Sequence, residues 1–340
     1  MSGAEDLVPT GEAREAGECR VRLYRPRVES GFARIEQWRN SVTGVIHWRT
    51  ISADNTTRIY GEMAQARVSD PANDKHIFKW LLEFSHDGKG SAVSYRYKNE
   101  DDVGLDGIVY ERRRLNGNVL CTNRYLKSVV YGNVTHFNGV DRHADYHFEV
   151  VFDYGEHNIN NPHPDDDNDW PVRPDPFSDY RAGFEIRCRR RCERVLMFHR
   201  FDELGDAPCL ARSVDFAYGG NDSDISLLTQ AQQKGYIRTS ANTYESKSLP
   251  AMTFAYQAHE WNGRVRELDT GSLSGLPAGL ASEGGHFLDL YGEGLSGVLS
   301  EVGQGTSEAA GSARLPRYAA ARPRAERRVF RNWRAIAKNI

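Results

Sequence analysis

Residues 170–201 read WPVRPDPFSDYRAGFEIRCRRRCERVLMFHRF. The opening, Trp170-Pro171-Val172-Arg173-Pro174-Asp175-Pro176, is broken by three prolines that neither a helix interior nor a central strand tolerates, so it is a loop. Behind it, Gly183-Phe184-Glu185-Ile186-Arg187-Cys188 and Arg194-Val195-Leu196-Met197-Phe198-His199-Arg200-Phe201 alternate apolar with charged residues. That period of two marks a strand with one face buried and the other wet. The stretch therefore argues for an antiparallel β protein.

Working outward, the same texture recurs. Val21–Arg25, Phe32–Trp38, Val45–Arg49 and Thr56–Gly61 read as short strands, with Asn40-Ser41-Val42-Thr43-Gly44 as a hairpin turn. Ala66–Pro71 reads as a turn. Ile77–Phe84 then pairs with Ser91–Tyr97 across Asp87-Gly88-Lys89-Gly90, a strong hairpin signal. The charged segment Asn99–Asn118 reads as a surface loop with one helical turn, and Asn123–Asn133 and Tyr146–His157 read as further strands. Leu210–Tyr218 and Met252–Tyr256 are apolar stretches that precede polar connectors. Residues 1–18 are polar and read as loop by composition, and Ile225–Gln233 is the best helix candidate. Helix is a minority throughout.

Bulk properties bound the function. The chain has 340 residues, 39% of them hydrophobic and 11% aromatic, enough for a real core. A net charge of −3 gives no overall attraction to nucleic acid or anionic membrane. No apolar run is long enough for a transmembrane helix, and the acidic N-terminus lacks the apolar segment of a secretory signal. Five scattered cysteines do not make a disulfide framework. On one strand Cys188 and Cys192 would lie about 13 Å apart, too far to bridge, and no second pair completes a zinc set.

The remaining constellations are weak. Asp165-Asp166-Asp167-Asn168-Asp169 could collect calcium but lacks the glycine and distal glutamate of an EF-hand loop, and reads as an uncoordinated acidic loop. His47, His157 and His199 read as core or edge histidines without ligands at metal spacing. No nucleophile elbow, P-loop or HExxH motif occurs. The expectation is no catalytic, cofactor-binding or metal-binding residues, and no enzyme.

These residues also resemble a family. DPFSDYRAGFEIR followed by CERVLMFHRF, with RPR at residues 25–27, VIHWRTISADNTTRIY at 45–60, NRYLKSVVYGN at 123–133 and FEVVFDYGEH at 148–157, is similar to the SpvB-type N-terminal domain of insecticidal toxin complex B components (TcB proteins). The likeness covers roughly residues 2–302 and implies antiparallel strands and hairpins forming part of a β-shell that leads toward a β-propeller. It divides the chain into an SpvB/TcB-like β domain at 1–286, the start of a propeller-like region at 287–302 and a divergent basic tail at 303–340, disordered or frameshifted. Residues 2–9 match a phrase inside the family's domain, so truncation at both ends is expected. Tyr291 stands where the propeller turn usually has a calcium-ligating aspartate.

The resemblance further implies containment: a non-catalytic shell around a toxic effector, with a C component (an Rhs-repeat protein) and a pore-forming A component as partners of the full-length form. It implies no nucleic acid and no direct membrane insertion. Synthesis in the bacterial cytoplasm and release to the extracellular region without a classical signal peptide follow. Some SpvB-type proteins carry a separate ADP-ribosyltransferase built on an ExE pair, and no two glutamates here are separated by one residue. Two other readings stay open at this point. One is a free-standing β-rich carbohydrate- or protein-binding module using Trp38, Trp48 and Trp170. The other is the remnant of a decayed toxin gene.

Overall fold

The computed structural model describes residues 6–256, except 30, 118–120, 141, 143–144, 220–224 and 241–242, and beyond them three strands at 285–288, 297–301 and 316–320. The chain divides into two compact units, 1–257 and 258–340. The divisions drawn from the sequence at 286/287 and 302/303 both fall within the second.

The first unit is a long antiparallel meander. Its strands are β1 (Leu7–Ala16), β2 (Cys19–Pro26), β3 (Arg34–Asn40), β4 (Ile46–Ile51), β5 (Thr57–Tyr60), β6 (Arg67–Asp70), β7 (Asn73–Trp80), β8 (Leu82–His86) and β9 (Ala92–Asn99). After a short helix α1 (Arg112–Gly117) come β10 (Arg124–Asn133), β11 (Tyr146–Asp153), β12 (Phe177–Asp179), β13 (Ile186–Cys188), β14 (Arg194–His199), β15 (Cys209–Gly219), β16 (Leu227–Ser240), β17 (Thr243–Ser248) and β18 (Met252–Thr253). One sheet runs β1-β2-β3-β4-β5-β8-β9-β10-β11-β14-β15-β16-β17, with β18 beside β16 in line with β17. Among the described residues two strand hairpins depart from this order: β6–β7, and β12–β13 in the stretch between β11 and β14.

Turn chemistry explains the meander. Asn40 Oδ1 accepts the amides of Val42 and Thr43, and Asp87 Oδ1 accepts those of Lys89 and Ser91; each side chain folds its own hairpin turn. Alternation then sorts the faces. Leu196 and Phe198 of β14 point inward with Val151 and Leu210 to form the central cluster, capped by Tyr236 and Tyr244.

Four readings are corrected. Residues 7–16, expected as loop, form edge strand β1, because its ladder with β2 closes across a two-residue turn at Gly17-Glu18; pairing overrides composition. Ala66–Pro71, expected as a turn, contains β6. The single strand expected at Ile77–Phe84 is two, broken at Leu81, whose carbonyl accepts from Gly61 and whose amide donates to Ala66. Gly61 has φ +64, and a Cβ there would lie 2.5 Å from Trp80, so the crossing needs glycine. Ile225–Gln233, expected as helix, enters the 14-residue strand β16, whose two edges are taken by β15 and by β17 with β18. Ladders on both sides override a weak helical pattern.

In the second unit β19 (Gly285–Leu288), β20 (Gly297–Glu301) and β21 (Pro316–Ala320) form an antiparallel sheet. The turn at 289–294 and the basic run 322–334 lie outside the described residues. Pro316–Ala320 pairs as a strand inside the stretch read as a tail.

Candidate functional site

Polar chemistry concentrates where the excursions lie against the sheet. The segment after β9 places Glu100, Asp101, Asp102 and Glu111 opposite Arg187, Arg189 and Arg190, which follow β12. A parallel bridge joins Thr122 to Ile186, and the Thr122 amide donates to the Glu185 carbonyl at 3.1 Å. Glu111 is wholly buried, and its carboxylate takes Arg187 through one oxygen and Arg189 through the other, at 3.0 Å. Arg190 is spread over Glu100 (3.1 Å), Asp101 (2.8 Å) and the carbonyls of Trp170 and Val103. Burial pushes the Glu100 carboxyl up, against the pull of the Tyr125 hydroxyl and of Arg190 and Arg189. Trp170 lies over this lock: its indole donates to Asp101 at 2.8 Å, and the Arg190 guanidinium stands 4.3 Å from its ring centre. The segment Asn99–Asn118, expected to be a surface loop, thus contributes buried acids as well as the expected helical turn.

A second cluster is built by Asp153-Tyr154-Gly155-Glu156-His157. Asp153, Glu156 and His157 are buried, with ligand-type atoms all within 4.8 Å of one another. This corrects the reading of His157 as lacking carboxylates at metal spacing: the turn after β11 folds them together. Gly155 makes that turn at φ +105, where a Cβ would sit 2.6 Å from Pro171. The space is filled by the Lys127 ammonium, which pairs with Glu156, meets His157 Nε2 at 2.7 Å and reaches Asp166 at 2.7 Å. His157 Nδ1 faces the His163 carbonyl at 2.9 Å, which can only accept, so Nδ1 carries the proton and Nε2 accepts from the lysine. Burial and then Lys127 hold the His157 pKa down. Arg194 completes the neutralisation on Asp153 at 2.5 Å. The chain thus supplies its own cation. Thermal melting should be the same in excess EDTA and in added calcium or zinc; a metal-dependent rise in Tm would show that the lysine yields to an ion.

The acidic loop is used in the same way. Asp166 also pairs with Lys98 at 2.7 Å, and Asp167 pairs with His163 at 2.7 Å and accepts the Asn158 amide. Cys188 and Cys192 do not share a strand, since β13 ends at Cys188 and β14 begins at Arg194. Both are free thiols packed against the Tyr125, Tyr154 and Trp170 cluster. Burial pushes the Cys192 thiol up to about 12, which removes the thiolate at neutral pH.

A third cluster flanks an open groove of about 540 Å³ between Glu62, Glu83 and Arg142. Arg142 meets Glu62 at 2.6 Å and Glu83 at 3.4 Å. Behind it, His47 stacks on Trp38 at 5.8 Å, with Nε2 buried, 3.9 Å from Glu62 and without a hydrogen bond. Burial lowers His47 to about 4, with Arg49, Arg142 and Arg67 acting the same way and Glu62 opposing. A depressed folded pKa means that the unfolded chain binds the proton first, near 6.5. Stability from this group is therefore complete above pH 6.5 and is lost as pH falls toward 4, by on the order of 2–3 kcal/mol. Urea titrations across that window should show this slope in the native chain and its disappearance in His47→Gln.

Compared with known proteins, residues 1–201 match the family model described as Salmonella virulence plasmid 65kDa B protein, SpvB. The chain belongs to the SpvB family. It is 37% identical over 222 residues to "Mono(ADP-ribosyl)transferase SpvB" of Salmonella typhimurium strain 14028s and of Salmonella choleraesuis strain SC-B67, covering 62% of this chain and 36% of each relative. It thus spans about a third of the length of these curated SpvB relatives. Among solved structures it is similar to TcdB2–TccC3 (30% identity, TM-score 0.69, 92% of this chain and 15% of that one). The same figures hold for the Photorhabdus luminescens Tc holotoxin pore. The N-terminal domain of the effector protein SpvB from Salmonella typhimurium strain LT2 matches with 32% identity and a TM-score of 0.55, covering 70% of each chain. The expected β-shell class and the family resemblance both hold. The match to SpvB relatives falls on 36% of their length, and the likeness to the SpvB N-terminal domain places this chain in that part of the family.

Sequence reasoning missed the lock. Its signal was an acid-rich run, Glu100-Asp101-Asp102, set against an arginine-rich one, Arg187 to Arg191, in a chain with little net charge. The alternative reading as a binding module loses one of its three aromatics. Trp170 is 1% exposed, and Trp38 and Trp48 are half-buried in aromatic and cationic packing.

Proposed function

We propose that this chain is a wall segment of a toxin-complex B-type component, a non-catalytic shell that encloses a toxic effector and helps deliver it. The observation that carries the reading is the likeness to TcdB2–TccC3 over 92% of the chain, in a meander whose order supplies one broad continuous sheet. A wall must keep its strands in register without a thick apolar core, and here the buried apolar residues fall in small separate clusters. The ion lock around Glu111 and the lysine-filled cluster around Glu156 supply that cohesion through directional contacts. Catalysis draws no support from these clusters: their carboxylates and guanidinium groups are engaged with one another, and the half-buried Cys192 thiol is held protonated.

In this reading the partners are an Rhs-repeat C component, which completes the container, and a pore-forming A component, which receives the cargo. The chain is made in the bacterial cytoplasm and reaches the extracellular region, and it contacts neither nucleic acid nor the bilayer. The test is co-expression with a C component and size-exclusion chromatography. Co-elution as one complex at high salt is the expected result, and separate elution would overturn the reading.

A further inference from the structure

A groove of about 410 Å³ lies on the sheet face opposite buried Val21, lined by Arg20, Arg22, Arg39, the turn residues Ser41 and Thr43, and Lys75. Its construction follows from register. Arg20 of β2 stands directly across from Arg39 of β3, and Arg22 follows two residues on, on the same face. Lys75 arrives from β7, which is pinned over β4 by the Trp80 indole donating to the Ile46 carbonyl at 2.6 Å.

Like charges directly opposed across a ladder are destabilising. All four residues are exposed, and no acid neutralises them: among the described residues none of these four side chains has an ion-pair or hydrogen-bond partner. Glu15 faces Arg20 across the other ladder without pairing with it. Elsewhere in the unit buried arginines are matched to acids. The Thr43 hydroxyl oxygen accepts from the Val45 amide, leaving its proton free to donate, and Ser41 is exposed at the rim.

We propose that this groove binds a polyvalent oxyanion carrying two or more phosphoryl or sulfate groups. Three guanidinium forks suit tetrahedral oxyanions, which they hold bidentately, and a single carboxylate would leave most of the four charges unmatched. The groove also has the size of a small-molecule site.

The test uses the full chain in a phosphate-free buffer at low salt, with tripolyphosphate and sucrose octasulfate as separate probes, by calorimetric titration and thermal melting. At least one probe should raise Tm by several degrees, with an affinity that falls steeply as NaCl is added. Binding of tripolyphosphate alone assigns a phosphorylated ligand, and of sucrose octasulfate alone a sulfated glycan. The double variant Arg20→Ser/Arg39→Ser should bind at least tenfold more weakly while melting at or above the native temperature, since a like-charge pair is removed. Lys75→Ala, which leaves the sheet untouched, should also weaken binding, and Arg112→Ser/Arg113→Ser should leave it unchanged. No Tm shift with either probe, or equal affinity in the native chain and the groove variants, would overturn the proposal.

Discussion

Replacing Glu111 with alanine is expected to cost about 3–5 kcal/mol, the range for breaking a buried ion pair by removing one partner. The reason is geometric. One carboxylate, wholly buried, neutralises both Arg187 and Arg189. Without it Arg187 keeps only the Ser178 hydroxyl for its guanidinium, and Arg189 keeps Asp102 at 3.1 Å and the Asp101 carbonyl. Two cations then sit out of water, with Asp102 and the already engaged Glu100 as the carboxylates left to Arg189. Glu111→Gln, which keeps an acceptor of the same shape, should lose less. Urea denaturation followed by circular dichroism measures both, and a loss below about 1 kcal/mol for the alanine variant would mean that the lock is not needed for cohesion.

Trp170→Ala is the second large effect, about 3–5 kcal/mol for a buried tryptophan. The ring is held on several sides: Arg190 at 4.3 Å, Lys98 at 4.2 Å, and edge contacts with Tyr125 at 5.4 Å and Tyr154 at 6.2 Å. Its loss opens a cavity beside Tyr125, Tyr154 and Val103 and leaves Asp101 without its indole donor. Trp170→Phe separates these contributions, keeping most of the volume and losing the hydrogen bond, for about 1–2 kcal/mol. Equal losses in the two variants would put the whole effect on the Asp101 bond, against the packing described above.

The strands were legible where the residues themselves determine the structure. In Arg194–His199 one face is buried whatever its neighbours do, and in Asp87–Gly90 the turn is folded by its own carboxylate. They were illegible where a distant partner decides. β1 is polar, and only its register against β2 makes it a strand. β16 gains its conformation from ladders on both edges. The site was hidden for the same reason. Glu111 looks like any surface glutamate until Arg187 and Arg189, more than seventy residues away in sequence, close on it. By contrast Asp153, Glu156 and His157 are neighbours in sequence, yet the reading of His157 passed over both carboxylates, because only the turn at Gly155 folds them together. What the spacing could not show was Lys127 arriving from β10 to occupy the centre.

The most direct test of the wall reading is a chimera in which this chain replaces the matching segment of TcdB2 in the TcdB2–TccC3 complex. Limited proteolysis then reports whether the C component's C-terminal fragment is enclosed. The account predicts that the chimera assembles and protects that fragment to the same degree as the parent complex, and that Glu111→Ala within it opens the wall to protease. A chimera that assembles yet leaves the fragment as exposed as in the free C component would contradict it.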